Sequence, residues 1–267
     1  MDTGQEVKLL IEHYGITPQD WLGQNFLIST SGVNYILQAI NPSPNKTYLE
    51  VGAGFLILTK AVASKARKVI AIEKDGRFQQ FYKDCTLNNI EVIIGDALDL
   101  DFTAPGASEI FGNIPYYISS QILIKTGKCK NIERAVLLFQ KEFADRILAS
   151  PNSKKYGAIT VLVDLYFDKK FIKTMPSSFF YPRPTISSTL VELTRREISQ
   201  DINEERFLKL VRCSFSMRRK KLLNNLKEKY GEREVKEAIE RLCLPPQVRA
   251  ENLSIDKFIA LYKALER

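Results

Sequence analysis

Thr47-Tyr48-Leu49-Glu50-Val51-Gly52-Ala53-Gly54 is the stretch on which the reading of the fold turns. Residues 47–51 are rich in β-formers and read as a strand, and a helical pattern follows at 58–65. Two glycines at a strand–turn–helix junction let a ligand approach the backbone, while the helix N-terminus offers unpaired amides. A dinucleotide site would carry a third glycine where this chain has Ile57. A plain glycine-rich turn in an α/β protein remains open at this point.

Working outward, further strands are expected at 68–73, 91–94, 109–112, 134–139, 171–175 and 189–194, with helices at 77–84 and 141–149 among them. Alternating β and α elements predict a mostly parallel sheet covered on both faces. The last two strands have little helix between them, so an antiparallel hairpin at one sheet edge is expected. Beyond the polar stretch 195–203 the text becomes helical and charged, with Phe215, Leu222 and Leu226 on one helix face. The division expected is an α/β domain over 1–195 and a small all-helical, basic domain over 196–267.

Composition narrows the function. The 267 residues contain no run of about 18 apolar side chains, so no membrane span is expected, and residues 1–10 lack a secretory pattern. The four cysteines form no CxxC pair and read as reduced thiols of a cytoplasmic protein. His13 is the single histidine, which argues against a histidine base and against a metal site. The net charge of +8 fits a nucleic-acid partner, although many soluble proteins are as basic.

Three further segments carry chemistry. Glu73 ends the next strand at the spacing where nucleotide-binding folds place a ribose carboxylate, which accepts two hydroxyl hydrogens at once. Ile94-Gly95-Asp96-Ala97 closes a third strand, where an aspartate can accept from an adenine amino group while a backbone amide reads a ring nitrogen. Alone, these would be a solvated glutamate and a turn aspartate; following Gly52 and Gly54 in order, they read as a site. Asn113-Ile114-Pro115-Tyr116 then follows a strand at the sheet edge where open α/β folds bind ligands. A purine exocyclic amine is a weak nucleophile whose lone pair is freed by N–H donation, here to the Asn113 side-chain carbonyl and a nearby backbone carbonyl. Tyr116 offers a stacking face worth about 1–3 kcal/mol, and Pro115 stiffens the loop.

Taken together these motifs resemble the KsgA-type ribosomal RNA adenine dimethyltransferases, relatives of the Erm methyltransferases. Glu50 before the glycines matches the methyltransferase form of the junction. Leu22-Gly23-Gln24-Asn25-Phe26-Leu27 resembles the family's N-terminal cofactor motif. Gln140-Lys141-Glu142 with Arg146, and Phe180-Tyr181-Pro182-Arg183-Pro184 with Ser187-Ser188, continue in family order. Arg218-Arg219-Lys220 with Asn224-Asn225-Leu226 resembles the basic helix of the KsgA-type C-terminal domain and separates it from Erm.

The resemblance implies a Rossmann-like class I methyltransferase sheet of seven strands and an S-adenosyl-L-methionine cofactor. That cofactor would be contacted at Asn25, Leu27, Gly52, Gly54, Glu73, Asp96, Ala97 and Asn113. It implies N6 dimethylation of two adjacent adenosines near the 3′ end of small-subunit ribosomal RNA, in a precursor particle, by a cytoplasmic monomer. Asn113, Pro115 and Tyr116 would form the catalytic loop, with Phe180 facing Tyr116 across the base. Arg218, Arg219, Lys220 and Lys221 would grip RNA, a solvated helix face being the alternative. Two rival readings are an Erm-like enzyme of large-subunit RNA and an assembly factor with weakened catalysis.

The chain departs from the family pattern at three points. Leu56 stands where another glycine is usual, and would crowd the methionine end of the cofactor or shift the helix. Ser29 stands where an aspartate often follows the N-terminal motif. Pro18-Gln19-Asp20-Trp21 replaces basic residues.

Overall fold

The computed structural model describes residues 2–85, 88–103, 106–197 and 201–266. The strands are β1 (Phe26–Leu27), β2 (Thr47–Val51), β3 (Lys68–Glu73), β4 (Ile90–Ile94), β5 (Glu109–Asn113), β6 (Arg134–Gln140), β7 (Phe167–Met175), β8 (Phe180–Tyr181) and β9 (Ser188–Arg195). Helices α1 (Thr3–Tyr14), α2 (Thr30–Ile40), α3 (Ile57–Ala63), α4 (Gln79–Asp84) and α5 (Ser119–Lys128) fall in the first half. They are followed by α6 (Lys141–Ile147), α7 (Ala158–Tyr166), α8 (Glu204–Ser214), α9 (Leu222–Tyr230), α10 (Glu232–Arg241) and α11 (Ile255–Leu265).

Seven strands form one sheet in the order β4-β3-β2-β5-β6-β9-β7. The run from β4 to β6 is parallel, and β9 returns antiparallel to β6. The central strands are apolar on both faces, as a parallel sheet requires, whereas β4 at the edge is only half-buried. β1 and β8 form a separate two-stranded antiparallel pair, which the sequence reading did not anticipate.

This topology brings the C-terminal ends of β2, β3, β4 and β5 to one sheet edge, and with them the junctions at Gly52, Glu73, Gly95 and Asn113. β2 and β5 approach closely there. A Cβ on Gly112 would lie 2.3 Å from the Val51 carbonyl oxygen, so glycine is required one residue before Asn113.

The chain forms two compact units, Met1–Ala144 with Lys169–Arg195, and Asp145–Asp168 with Arg196–Arg267. The 145–168 segment, which the sequence reading grouped with the first domain, thus belongs with the C-terminal helices. α7 is buried along almost its whole length, and the Tyr156 hydroxyl donates to the Leu253 carbonyl at 2.7 Å.

Candidate functional site

An open cavity lies at the C-terminal edge of the sheet in the first unit. Every residue expected to touch the cofactor lines it: Asn25, Leu27, Gly52, Gly54, Glu73, Asp96, Ala97 and Asn113. Pro115 lines it as well, and Tyr116 is half-buried beside it. At Gly52 the backbone has φ 85°, and an added Cβ would stand 3.3 Å from the Asn113 carbonyl oxygen. The cradle therefore depends on a missing side chain.

Glu73 is buried at the cavity floor. Its carboxylate accepts from Gly54 N and Asp75 N, both at 2.9 Å, so it shapes the glycine turn as well as facing the cavity. Burial pushes its carboxyl above the ordinary range, against these hydrogen bonds. Asp96 sits across the mouth, where its Oδ2 is 2.8 Å from Lys74 Nζ and its Oδ1 accepts from Leu98 N at 2.9 Å. The Lys74 contact comes first among the causes that hold Asp96 below its usual value, so it is an anion at neutral pH.

The Asn113–Tyr116 loop is held from both sides. Asn113 Nδ2 donates to the Asn25 carbonyl at 2.8 Å, and no described residue donates to its Oδ1. The Tyr116 hydroxyl is 3.4 Å from Ser188 Oγ, a long contact, and Ile118 N closes the turn onto the Pro115 carbonyl at 3.2 Å.

Several expectations are corrected. Leu56 adopts φ 57° and ψ 20°, a conformation usual for glycine, yet its side chain is 0 % exposed and packs in a core with Val7, Phe55 and Phe78. It points away from the cavity and cannot crowd a ligand there. Ser29 takes over the capping role of an aspartate: its Oγ accepts from Gly32 N at 3.1 Å at the start of α2. Phe180 is 2 % exposed within the core around Leu27, Val33 and Met175, because its strand pairs Phe180 with Leu27. It offers no free face to a base, and Tyr181 is the exposed ring of β8.

The basic segment is corrected too. Residues 218–221 form a turn between α8 and α9 instead of a helix, closed by Lys220 N onto the Met217 carbonyl at 2.9 Å. Arg218 is engaged by Glu251 at 2.9 Å and by the Ser153 carbonyl at 3.1 Å. Arg219, Lys220 and Lys221 have no acidic partner among the described residues, and the first two are exposed.

Sequence reasoning missed how the N-terminal motif is braced. Asp75 is 6 % exposed and accepts from Arg77 at 2.6 Å and from Gln24 Nε2 at 2.8 Å. Burial works to raise its carboxyl, but the hydrogen bonds from Arg77 and Gln24 hold it below the ordinary range. The acidic residue two places after Glu73 was visible in the sequence; its partner 51 residues upstream was not. Lys74 and Tyr117 also line the cavity unforeseen.

The profile of the ribosomal RNA adenine dimethylases matches residues 18–267. The chain belongs to that family. It is 34% identical over 281 residues to the ribosomal RNA small subunit methyltransferase A of Geobacillus kaustophilus, covering 98% of this chain and 96% of that protein. Its fold is similar to that of a dimethyladenosine transferase from Plasmodium falciparum, with TM-score 0.78 and 28% identity over 89% of this chain and 96% of that one. The 23S rRNA methyltransferase ErmE is also similar, at TM-score 0.68 and 25% identity over 91% of this chain and all of ErmE. The adenine dimethylase chain thus has a class I methyltransferase sheet followed by a helical region. Among its described residues no helix is long and apolar enough to cross a membrane.

Proposed function

We propose that the protein transfers methyl groups from S-adenosyl-L-methionine to N6 of two adjacent adenosines near the 3′ end of small-subunit ribosomal RNA, twice per base, within a precursor particle. The observation that carries this reading is the convergence of eight separately expected residues on one cavity whose rim holds the Asn113 amide.

The residues fit the cofactor. Gly52 and Gly54 leave room for close backbone approach, Glu73 offers carboxylate oxygens to ribose hydroxyls, and Asp96 offers an acceptor to the adenine amine. When bound, the cofactor supplies an activated methyl group on a sulfonium. The protein therefore needs chiefly to position and desolvate the acceptor. Because Asn113 Nδ2 is committed to the Asn25 carbonyl, Oδ1 is left as the free acceptor. A target amine donating its N–H there has its lone pair turned toward the methyl donor. Tyr116 gives the base a stacking face. The proton leaves to water after transfer, with no dedicated base.

Small-subunit precursors lacking the modification, incubated with labelled cofactor and mapped by mass, should gain two neighbouring dimethyladenosines. The ErmE likeness supports a second reading, large-subunit RNA as acceptor. Labelling of large subunits alone would favour it and overturn the first. The assembly-factor reading loses its motive, since Leu56 lies outside the cavity.

A further inference from the structure

Trp21 is the chain's single tryptophan and, at 71% exposed, the most exposed large hydrophobic side chain among the described residues. It does not project from a loose loop. It lies in a short 3₁₀ turn, Asp20–Leu22, whose Leu22 is buried and whose end is closed by Gly23 N onto the Asp20 carbonyl at 2.9 Å. Gln24 ties that turn inward, with Oε1 accepting from Gln19 N at 2.9 Å and Nε2 donating to Asp75 at 2.8 Å. Arg77 adds a bond to the Thr17 carbonyl at 3.0 Å.

The turn also abuts the catalytic loop. A Cβ on Gly23 would be 3.5 Å from Pro115 Cβ and 3.6 Å from Tyr116 N, and Leu22 and Gly23 both line the cavity. A broad indole, its Nε1 donating to Gln19 Oε1 at 3.2 Å, thus stands in water on the turn that abuts the cavity. The neighbouring residues Pro18, Gln19 and Asp20 carry no cation that could hold a phosphate. The cations nearby, Arg77 and Lys74, are paired with Asp75 and Asp96, so the ring face is the contact surface that the turn itself offers.

We propose that Trp21 is a stacking platform for the unpaired nucleobase next to the target adenine. The proposal rests on the RNA-substrate reading above. Drawing one base into a pocket strips its neighbour of a stacking partner, and an aromatic face replaces that partner with little regard to base identity.

The test uses an RNA copy of the 3′ region of small-subunit RNA with a terminal fluorophore. Binding is read by the label's anisotropy, and Trp21 by its own emission, which no second tryptophan obscures. Emission should be quenched in step with binding. Trp21→Ala should bind RNA roughly ten-fold more weakly, with cofactor affinity, melting temperature and salt slope unchanged, and Trp21→Phe should recover most of the loss. An abasic nucleotide beside the target should weaken the native protein similarly and leave Trp21→Ala unaffected. Binding without quenching, a Trp21→Ala protein as tight as the native one, or an abasic penalty equal in both would overturn the proposal. RNA that fails to bind the native protein at all would instead overturn the substrate reading beneath it.

Discussion

Asn113 and Asn25 stand 88 residues apart in the chain, and the side-chain nitrogen of the first donates to the backbone carbonyl of the second across 2.8 Å. This bond fixes which end of the amide faces the cavity. Asn113→Ala should therefore reduce methyl transfer by about 100-fold or more, the scale of losing a positioning contact, while the fold stays intact. Tyr116→Ala should be poor, whereas Tyr116→Phe should be nearly as active as the native protein, because among the described residues the hydroxyl makes only a long contact, 3.4 Å, to Ser188. Single-turnover transfer of labelled methyl checks the series. A Tyr116→Phe protein as dead as Asn113→Ala would show that the hydroxyl takes part in proton transfer.

Leu56 separates strain from crowding. Trimming a buried leucine costs about 2–5 kcal/mol, and relief of its positive φ returns about 1–2 kcal/mol. Leu56→Gly should lower the melting temperature by several degrees and leave cofactor affinity unchanged in calorimetry, since its side chain is fully buried off the cavity. Tighter cofactor binding in the glycine variant would mean that Leu56 does crowd the site.

Burial, offset in part by the Thr59 hydroxyl and reinforced by Glu73, pushes the Glu50 carboxyl from 4.5 up to about 8. Between those values the folded chain holds a proton that the unfolded chain has released. Stability should consequently fall as pH rises through that window, by at most about 1.4 kcal/mol per unit. Below it, both states are protonated and the contribution is constant. Glu50→Gln should flatten the slope relative to the native protein. Urea midpoints across the window measure this, and parallel slopes would show that Glu50 is ionised when folded.

The turn at 218–221 divides into two roles. Arg219, Lys220 and Lys221 together replaced by serine should reduce the log–log salt slope of RNA binding by about two units, at roughly 0.7 per phosphate contact on single strands. Arg218→Ala should act mainly on stability, by leaving Glu251 without its 2.9 Å partner. An unchanged slope in the triple variant would put the RNA surface elsewhere.

The strands and the cavity were legible in the sequence because both rest on local signals. Apolar runs mark the parallel strands, and each motif residue sits at the end of one or just beyond it, so topology alone gathers Gly52, Glu73, Asp96 and Asn113 at one edge. Side-chain direction was less legible. Nothing within a few residues of Phe180 reveals that pairing with Leu27 turns it into the core, or that Leu56 adopts a left-handed backbone to bury its side chain. The clamp from Asp75 to Gln24 joins residues 51 apart, beyond any periodic pattern. The 218–221 turn was read as helix because Phe215, Leu222 and Leu226 fit one helix face and the cations resemble the family's basic helix, and the break at Lys221, an extended residue, leaves no mark in composition.

The double passage of the chain through its second unit gives the protein a history as well as a shape. Residues 145–168 leave the ribosome ahead of β9 and of the helices they pack with, the last of which ends at Leu265. At synthesis rates of about 5–20 residues per second, the apolar length of α7 waits several seconds for its partners. The seven-stranded sheet, complete once β9 has emerged, can form within that interval. The sheet that carries the cradle can therefore be in place while the helices that pack with α7 are still being made.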